Sequence, residues 1–266
     1  MTEKAILFDA TKCMGCRGCQ VACKEWNDLK GEKTTNRGTI ENPPDLSADT
    51  WLKMRFIETG DAQDLRWLFG RRSCMHCTEA GCVEVCPTKA LYHHELGFVA
   101  YNKSKCSGCG YCVAACPFEV PRTSGTIIGI RHTTKCVLCQ DRVTNDQMPA
   151  CVKSCPPGAL AFGDRDQLLA TAKARVSAIK DKHPKANLYG EKELGGLHVL
   201  YVLDDEPSVY GLPEDPKITV AVTVWQDVVR PVGWAVAGLA VMGLGLNYVI
   251  AQRKIKLHSE GESHGK

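Results

Sequence analysis

Residues 105–117 read KCSGCGYCVAACP, and their C-x2-C-x2-C-x3-C spacing followed by proline decides how this chain folds. The same spacing stands near the start of the chain, although a lysine takes the place of the proline there. The sixteen cysteines form four groups of four, which are Cys13/Cys16/Cys19/Cys23, Cys74/Cys77/Cys82/Cys86, Cys106/Cys109/Cys112/Cys116 and Cys136/Cys139/Cys151/Cys155. No cysteine is left over, so we expect a fold organised around four cysteine quartets.

Three chemistries use cysteines in such numbers. A disulfide framework suits short secreted chains without a core, whereas this chain has 266 residues and its N-terminal run shows no cleavable signal. Zinc sites use C-x2-C pairs but do not need a third cysteine or a Cys-Pro step. The spacing is that of 4Fe–4S clusters in bacterial ferredoxins. We therefore predict four 4Fe–4S clusters and a path for single electrons.

The ligands are predicted to cross between groups. In the two-cluster ferredoxin pattern, the cysteine before proline binds the cluster of the other group. The outer groups then supply site a (Cys13, Cys16, Cys19, Cys155) and site b (Cys136, Cys139, Cys151, Cys23). The inner groups supply site c (Cys74, Cys77, Cys82, Cys116) and site d (Cys106, Cys109, Cys112, Cys86).

The predicted fold is α+β, with two bacterial-ferredoxin-like modules, one inserted in the other, and a single C-terminal transmembrane helix. Strand-like runs flank the cysteine groups at 5–8, 90–92, 98–101, 126–130 and 159–162. The predicted divisions are 1–23 with 117–163 (outer split module), 24–73 (insertion), 74–116 (inner module), 164–230 (helix, strand and linker), 231–252 (transmembrane helix) and 253–266 (cytoplasmic tail).

Several local features accompany this division. Four glycines in the cysteine loops are predicted to take positive φ, and they are Gly15, Gly18, Gly108 and Gly110. Stretch 140–150 is predicted to be an exposed excursion. The insertion carries four large aromatic residues that we expect to pack on the modules, with a partner interface as the alternative; they are Trp51, Phe56, Trp67 and Phe69.

The region after the last cysteine group has its own pattern. Apolar residues recur at helical spacing over 164–182, and they are Leu168, Leu169, Ala172, Val176 and Ile179. Residues 195–203 are predicted to form a strand, and the proline-rich run 207–216 is predicted to be a linker.

Charge agrees with clusters and gives no sign of other partners. The chain is formally +3, and four oxidised clusters with their thiolates bring it to about −5. Basic residues beside the ligands are expected to offset that charge, and they are Lys12, Arg17, Lys24, Lys105, Lys135 and Lys153. Basic residues are otherwise dispersed among acids, which does not indicate nucleic-acid binding. No residue stands out as a catalytic acid, base or nucleophile.

Residues 232–251 carry no charge and are long enough to cross a bilayer. Trp225, Trp234 and Tyr248 stand towards its ends as in an aromatic belt. Three basic residues follow the span and only Arg230 precedes it, so the positive-inside bias puts the C-terminus in the cytoplasm and the cluster domain in the periplasm.

The predicted span also bears on partners. It contains no histidine, so haem or quinone chemistry is assigned to a separate integral subunit. Its small residues Gly233, Ala237 and Ala240 form a strip that suits packing on such a subunit.

The chain resembles the iron–sulfur (beta) subunit of membrane-bound formate dehydrogenases. The resemblance rests on the cysteine groups and on three stretches, CRGCQVACK at 16–24, GLHVLYVL at 196–203 and GLPEDPKI at 211–218. It implies a catalytic alpha subunit with a molybdenum or tungsten pterin, and a cytochrome b type gamma subunit that delivers electrons to quinone. Nitrate reductase relatives carry Trp in place of one ligand of the third group, whereas Cys109 stands here, which implies four 4Fe–4S centres.

Similar electron-transfer subunits also occur with other catalytic partners. Polysulfide, thiosulfate and dimethyl sulfoxide reductases and membrane hydrogenases use similar subunits, and formate-dependent reduction discriminates among them. An iron–sulfur sensor is a different class, but the chain shows neither a DNA-reading segment nor an effector domain. A periplasmic cluster domain without its own signal implies export in the folded state with a partner that carries a twin-arginine signal.

Overall fold

A computed structural model describes residues 2–61, 63–125, 131–218, 222, 224 and 228–263. The chain divides into two compact units, Met1–Thr219 and Val220–Lys266. The strands are β1 (Lys4–Asp9), β2 (Lys53–Thr59), β3 (Arg66–Arg72), β4 (Leu91–His93), β5 (Val99–Tyr101), β6 (Arg122–Ser124), β7 (His132–Thr134), β8 (Leu160–Asp164), β9 (Asn187–Tyr189) and β10 (Val199–Leu203). The helices are α1 (Gly18–Trp26), α2 (Gly81–Glu84), α3 (Tyr111–Ala114), α4 (Gln140–Val143), α5 (Ala150–Lys153), α6 (Arg165–Ile179) and α7 (Arg230–Ser263).

The larger unit is built on a four-stranded sheet in the order β8-β1-β10-β9. Strand β1 pairs antiparallel with β8 and parallel with β10, so residues before the first cysteine group meet residues that follow the last one. The sheet thereby joins segments from both ends of the larger unit.

Alternation along β1 explains how the sheet packs. Ala5 and Leu7 face α6, where Leu168, Ala172 and Ile179 form the buried helical stripe. Ile6 and Phe8 point the other way, into the core that also buries Cys19, Cys23 and Cys151. Successive strand residues face opposite sides, so one sheet packs on a helix and covers the cysteine loops. The predicted helix over 164–182 is confirmed.

Three two-stranded hairpins carry or flank the cysteine loops, and they are β2–β3, β4–β5 and β6–β7. Four predicted strand runs are confirmed by β1, β4, β5 and β8, and the strand predicted within 195–203 is confirmed by β10. The run 126–130 lies outside the described residues.

The β2–β3 hairpin shows what the insertion does. Phe56 and Phe69 stand opposite each other, with ring centroids 5.5 Å apart. Both rings pack against the core, as does Trp51, in agreement with the expected packing. Trp67 is 44% exposed and is the exception. It shares the face of Phe69 but lies nearer to the hairpin turn, opposite Glu58.

The proline-rich run 207–216 is not a free linker. Tyr210 is buried and donates its hydroxyl to Asp204. Tyr189 on β9 donates its hydroxyl to the Pro213 carbonyl at 2.7 Å. Val209 and Leu212 pack on the core, so buried aromatic and aliphatic side chains hold a run that its prolines marked as irregular.

The C-terminal unit contains α7. Within it, Pro231–Arg253 is long and apolar enough to cross a membrane, with a mean hydropathy of 1.7. This confirms a helix at the predicted span. Trp234 and Tyr248 lie on α7 and are exposed, whereas Trp225 lies outside the described residues. The helix continues through the predicted tail to Ser263.

Candidate metal centres

The four cysteine loops share one backbone conformation. In each loop, the residue before the second cysteine has positive φ, and these residues are Gly15 (67°), His76 (50°), Gly108 (70°) and Leu138 (56°). Histidine and leucine pay roughly 1–2 kcal/mol for this left-handed conformation. The same turn therefore recurs in all four loops, although only two of the four have glycine at that position.

The prediction of positive φ holds for three of the four loop glycines. Gly110 has φ of 79°, and Arg17 takes the equivalent position in the first loop with φ of 61°. Gly18 is instead the first residue of α1, where a Cβ would lie 3.1 Å from the Ser154 carbonyl oxygen. Close approach of two backbones, and not φ, requires glycine at residue 18.

We expect Gly108→Ala to weaken site d far more than Gly110→Ala. Both changes force alanine into the left-handed region, which costs about 1–2 kcal/mol. The new Cβ at residue 108 would also lie 2.4 Å from the Arg131 carbonyl oxygen, whereas a Cβ at residue 110 meets nothing within 4 Å. Overpacking of this kind costs a further ~1–3 kcal/mol.

Iron and sulfide per chain and the temperature at which cluster absorbance disappears would measure the difference. Equal losses from both glycine variants would show that the approach to Arg131 has no influence on the loop.

The outer groups meet across the chain. Burial raises the pKa of the Cys13 thiol, and the charges of Cys155 and Cys16 raise it further. Burial also raises the pKa of Cys23, with Cys136, Cys151 and Cys139 adding to the shift. The fourth cysteine of each outer group therefore lies within electrostatic reach of the other group, as in the predicted sites a and b.

The inner groups meet in the same way. Burial raises the pKa of Cys77, and Cys74, Cys116 and Cys82 add to the shift. Burial raises the pKa of Cys112 as well; the Thr133 hydroxyl opposes the shift, while Cys109, Cys106 and Cys86 add to it. These neighbourhoods have the membership of the predicted sites c and d.

Thiol chemistry fits the predicted cofactor. A raised pKa means that free thiolates are unfavourable in these buried positions, whereas a bound metal deprotonates its thiol ligands outright. Soft thiolate ligands suit iron–sulfur clusters, as they also suit zinc and copper(I). Within the described part of the chain, no three His, Cys, Asp or Glu side chains converge closely enough to hold a single metal ion.

Thiol exposure differs between the sites. Cys16 of site a and Cys109 of site d are exposed, whereas sites b and c have no exposed cysteine. Sites a and d therefore each present one ligand to solvent.

Two buried cations accompany the cysteines. Lys135 is 1% exposed, and its ammonium donates to Cys74 Sγ at 3.8 Å and to the Val99 and Cys136 carbonyls at 2.9 Å each. Arg71 on β3 is 3% exposed. Among the six flanking basic residues predicted to offset cluster charge, only Lys135 is buried, while the other five are exposed or half-buried.

The burial of Arg71 beside the cysteines was not predicted from the sequence. Arg71 stands in an Arg-Arg pair at the end of a strand, a pattern that usually indicates a solvated edge. Arg72 behaves in that way and pairs with Asp45 at 3.3 Å. The only signal in the sequence was alternation along β3, which places consecutive residues on opposite faces.

The predicted excursion at 140–150 is only partly exposed. Residues 144–148 are exposed, but Arg142 and Val143 are buried. The Arg142 guanidinium lies 4.2 Å from the ring centroid of Trp26, and Trp26 donates to Asp141 at 2.9 Å. The start of this stretch is therefore tied to the end of α1.

Several known proteins are similar to this chain in sequence. The family model of the 4Fe–4S dicluster domain matches residues 65–165. The formate dehydrogenase iron–sulfur subunit of Haemophilus influenzae is 44% identical over 250 residues, which cover 92% of this chain and 78% of that relative. The nitrate-inducible formate dehydrogenase iron–sulfur subunit of Escherichia coli is 40% identical, over 98% of this chain and 90% of its own length. Formate dehydrogenase 2 subunit beta (cytochrome c-553) of Nitratidesulfovibrio vulgaris is 36% identical, over 78% of this chain and 96% of its own length.

Cysteine quartets on recurring ferredoxin-like loops, within a mixed α and β fold, define an iron–sulfur electron-transfer protein. Sequence identity of 40% or more with two formate dehydrogenase subunits, over nearly the whole chain, assigns the chain to one family within this class. The chain belongs to the family of formate dehydrogenase iron–sulfur subunits. Its cofactors are 4Fe–4S clusters, and its sixteen cysteines are sufficient for four of them.

Proposed function

We propose that this chain carries electrons, one at a time, from a subunit that oxidises formate to a membrane subunit that reduces quinone. The observation that carries the proposal is the meeting of distant cysteines in four neighbourhoods, in a chain whose relatives are formate dehydrogenase subunits. The sequence singles out no residue as a catalytic acid, base or nucleophile, and we assign formate chemistry to a partner with a molybdenum or tungsten pterin.

The ligand sets are those of sites a, b, c and d. When bound, 4Fe–4S clusters supply one-electron carriers. The chain's own contribution is to hold the thiolates in fixed positions, to bury all four cysteines of site b, and to place one exposed cysteine at each of sites a and d.

Electrostatic interactions between cysteines of neighbouring sites support a linear order a–b–c–d. The charge of Cys151 acts on Cys19 and so links site b to site a. The charge of Cys74 acts on Cys136 and links site c to site b. The charge of Cys112 acts on Cys82 and links site d to site c. Electrons then arrive and leave at the two end sites, where Cys16 and Cys109 are exposed.

A recurring backbone contact supports two equivalent modules, the inner one inserted in the outer one. A Cβ on Gly18, just before the third cysteine of its group, would lie 3.1 Å from the Ser154 carbonyl oxygen. A Cβ on Gly81, at the same position of its group, would lie 2.7 Å from the Ala115 carbonyl oxygen. Ser154 and Ala115 each precede the fourth cysteine of the complementary group, so both pairs of groups close in the same way.

We propose that α7 anchors the chain in the bacterial inner membrane beside a cytochrome b type subunit. Its apolar segment Pro231–Arg253 has the required length. The basic residues after the span favour a cytoplasmic C-terminus and a periplasmic cluster domain. The small residues Gly233, Ala237 and Ala240 supply the surface for packing on the partner.

Formate reduction of the purified complex tests the proposal. We expect formate under anaerobic conditions to reduce all four clusters, as followed by electron paramagnetic resonance (EPR), whereas the isolated chain under the same conditions stays oxidised. Iron and acid-labile sulfide should be stoichiometric with sixteen cysteines. Reduction by hydrogen, or oxidation by polysulfide, thiosulfate or dimethyl sulfoxide, without any response to formate would assign the chain to another partner.

A further inference from the structure

Arg71 carries a buried positive charge without a hydrogen-bond partner. Its Nε, Nη1 and Nη2 atoms are all buried, and none of them has a partner among the residues that the structure describes. Burying an unpaired charge costs far more than a folded protein tolerates without compensation. A compensating negative group is therefore required where the guanidinium lies.

The other buried arginine shows the usual solution. Arg142 donates its Nε to the Met148 carbonyl at 2.8 Å, and its guanidinium lies over the Trp26 ring. Within the described residues, the Arg71 guanidinium makes no hydrogen bond of normal geometry, although the Tyr201 side chain interacts with it. The Tyr201 hydroxyl, which is close to it, donates to the Arg71 backbone carbonyl at 3.0 Å.

The surroundings of Arg71 identify the missing group. Its strongest electrostatic neighbours are Tyr201, Cys151, Cys136 and Cys19. Arg71 also acts on Cys23. Of these cysteines, Cys19 is assigned to site a, while Cys23, Cys136 and Cys151 are assigned to site b. The guanidinium thus lies at the junction of two sites.

We propose that the Arg71 guanidinium donates hydrogen bonds to the clusters at sites a and b and raises both of their reduction potentials. The inference rests on the proposed ligand sets of these two sites. Each oxidised cluster with its thiolates carries about −2 and gains one more negative charge on reduction. A fixed cation nearby stabilises the added electron, and Arg71 keeps its protons throughout.

Lys135 makes the proposal specific. This second buried cation is fully bonded, and it acts on Cys82 and Cys116 of site c. Arg142 is also buried, but its guanidinium is held by the Met148 carbonyl and the Trp26 ring. Arg71 is therefore the buried cation that we assign to the cysteines of sites a and b. We expect the loss of Arg71 to change two of the four potentials.

The experiment is an EPR-monitored redox titration of the whole purified complex, with iron and sulfide determined on each sample. We expect Arg71→Gln to lower the equilibrium constant for one-electron reduction of two clusters at least tenfold. This corresponds to a reduction potential that is lower by about 59 mV for each of them. Arg71→Lys keeps the charge, so its potentials should stay closer to those of the unmodified protein. Arg72→Gln is the matched control. Arg72 is next to Arg71 on β3 but makes ion pairs with Asp45 and Glu119, so we expect no shift in potential from this change.

Unchanged potentials in Arg71→Gln, or an equal shift of all four clusters, would overturn the proposal. If Arg71→Gln does not retain iron at two sites, the test is whether Arg71→Lys retains the clusters at those sites. Retention of those clusters with lysine supports a need for the charge, and their loss with lysine as well overturns it. These outcomes are separate from the relay function, since reduction of the unmodified complex by formate is scored independently of any potential.

Discussion

Replacing Cys155 with serine is expected to remove the cluster at site a, whose other three proposed ligands stand more than a hundred residues earlier in the chain. The change should eliminate about a quarter of the iron and sulfide, since one of four similar clusters is lost. The physical reason is that Cys155 acts electrostatically on Cys13 and Cys19. A serine oxygen is a poor substitute in a thiolate set that binds iron–sulfur centres.

The measurement is metal and sulfide analysis combined with EPR of the reduced complex. Cys116→Ser is the matched control, because Cys116 stands at the same position of the inner module and acts on Cys77 and Cys82. That variant should lose site c and keep site a. If Cys155→Ser perturbed only the cluster on Cys136, Cys139 and Cys151, the crossed ligand sets would be refuted.

A charge at the centre of α7 is expected to detach the chain from the membrane. Val241 lies near the middle of the apolar segment and is exposed on the helix, so Val241→Arg should cost about 2.5–3.5 kcal/mol of insertion free energy. That loss lowers the equilibrium constant for partitioning of α7 into the membrane by roughly two orders of magnitude. The clusters should be retained, because they belong to the unit Met1–Thr219.

Fractionation of cells into membrane and soluble protein, with iron analysis of each fraction, measures the effect. Gln252→Arg is the control, since an arginine beside Arg253 reaches the interface at the helix end. Protease added to the periplasmic face of the unmodified protein should digest the cluster domain. Digestion only from the cytoplasmic face would reverse the proposed orientation, and full retention of Val241→Arg in the membrane would show that partner subunits, and not α7, hold the chain.

Local sequence signals located five of the ten described strands and the two long helices α6 and α7, but not β2, β3, β6, β7 or β9. The strands at β1, β4, β5, β8 and β10 and the helix α6 followed from alternation, helical spacing and the cysteine spacing. The β2–β3 hairpin was missed, because its aromatic residues indicated packing without indicating a partner strand. The run around Tyr210 was read as a linker because its prolines exclude regular structure, whereas burial of its side chains depends on distant residues such as Tyr189 and Asp204.

The sixteen cysteines by themselves determined the cofactor class, because ligand spacing is a local property that iron–sulfur chemistry constrains tightly. Their spacing also predicts the partition into four ligand sets. Tertiary structure alone decided what surrounds those quartets. Strand β3 brings Arg71 to the cysteines of the proposed sites a and b. The pairing of β1 with β8 and β10 joins residues that precede the first cysteine group to residues that follow the last one. Charge neutralisation and burial arise from residues far apart in sequence, so they depend on packing and not on spacing.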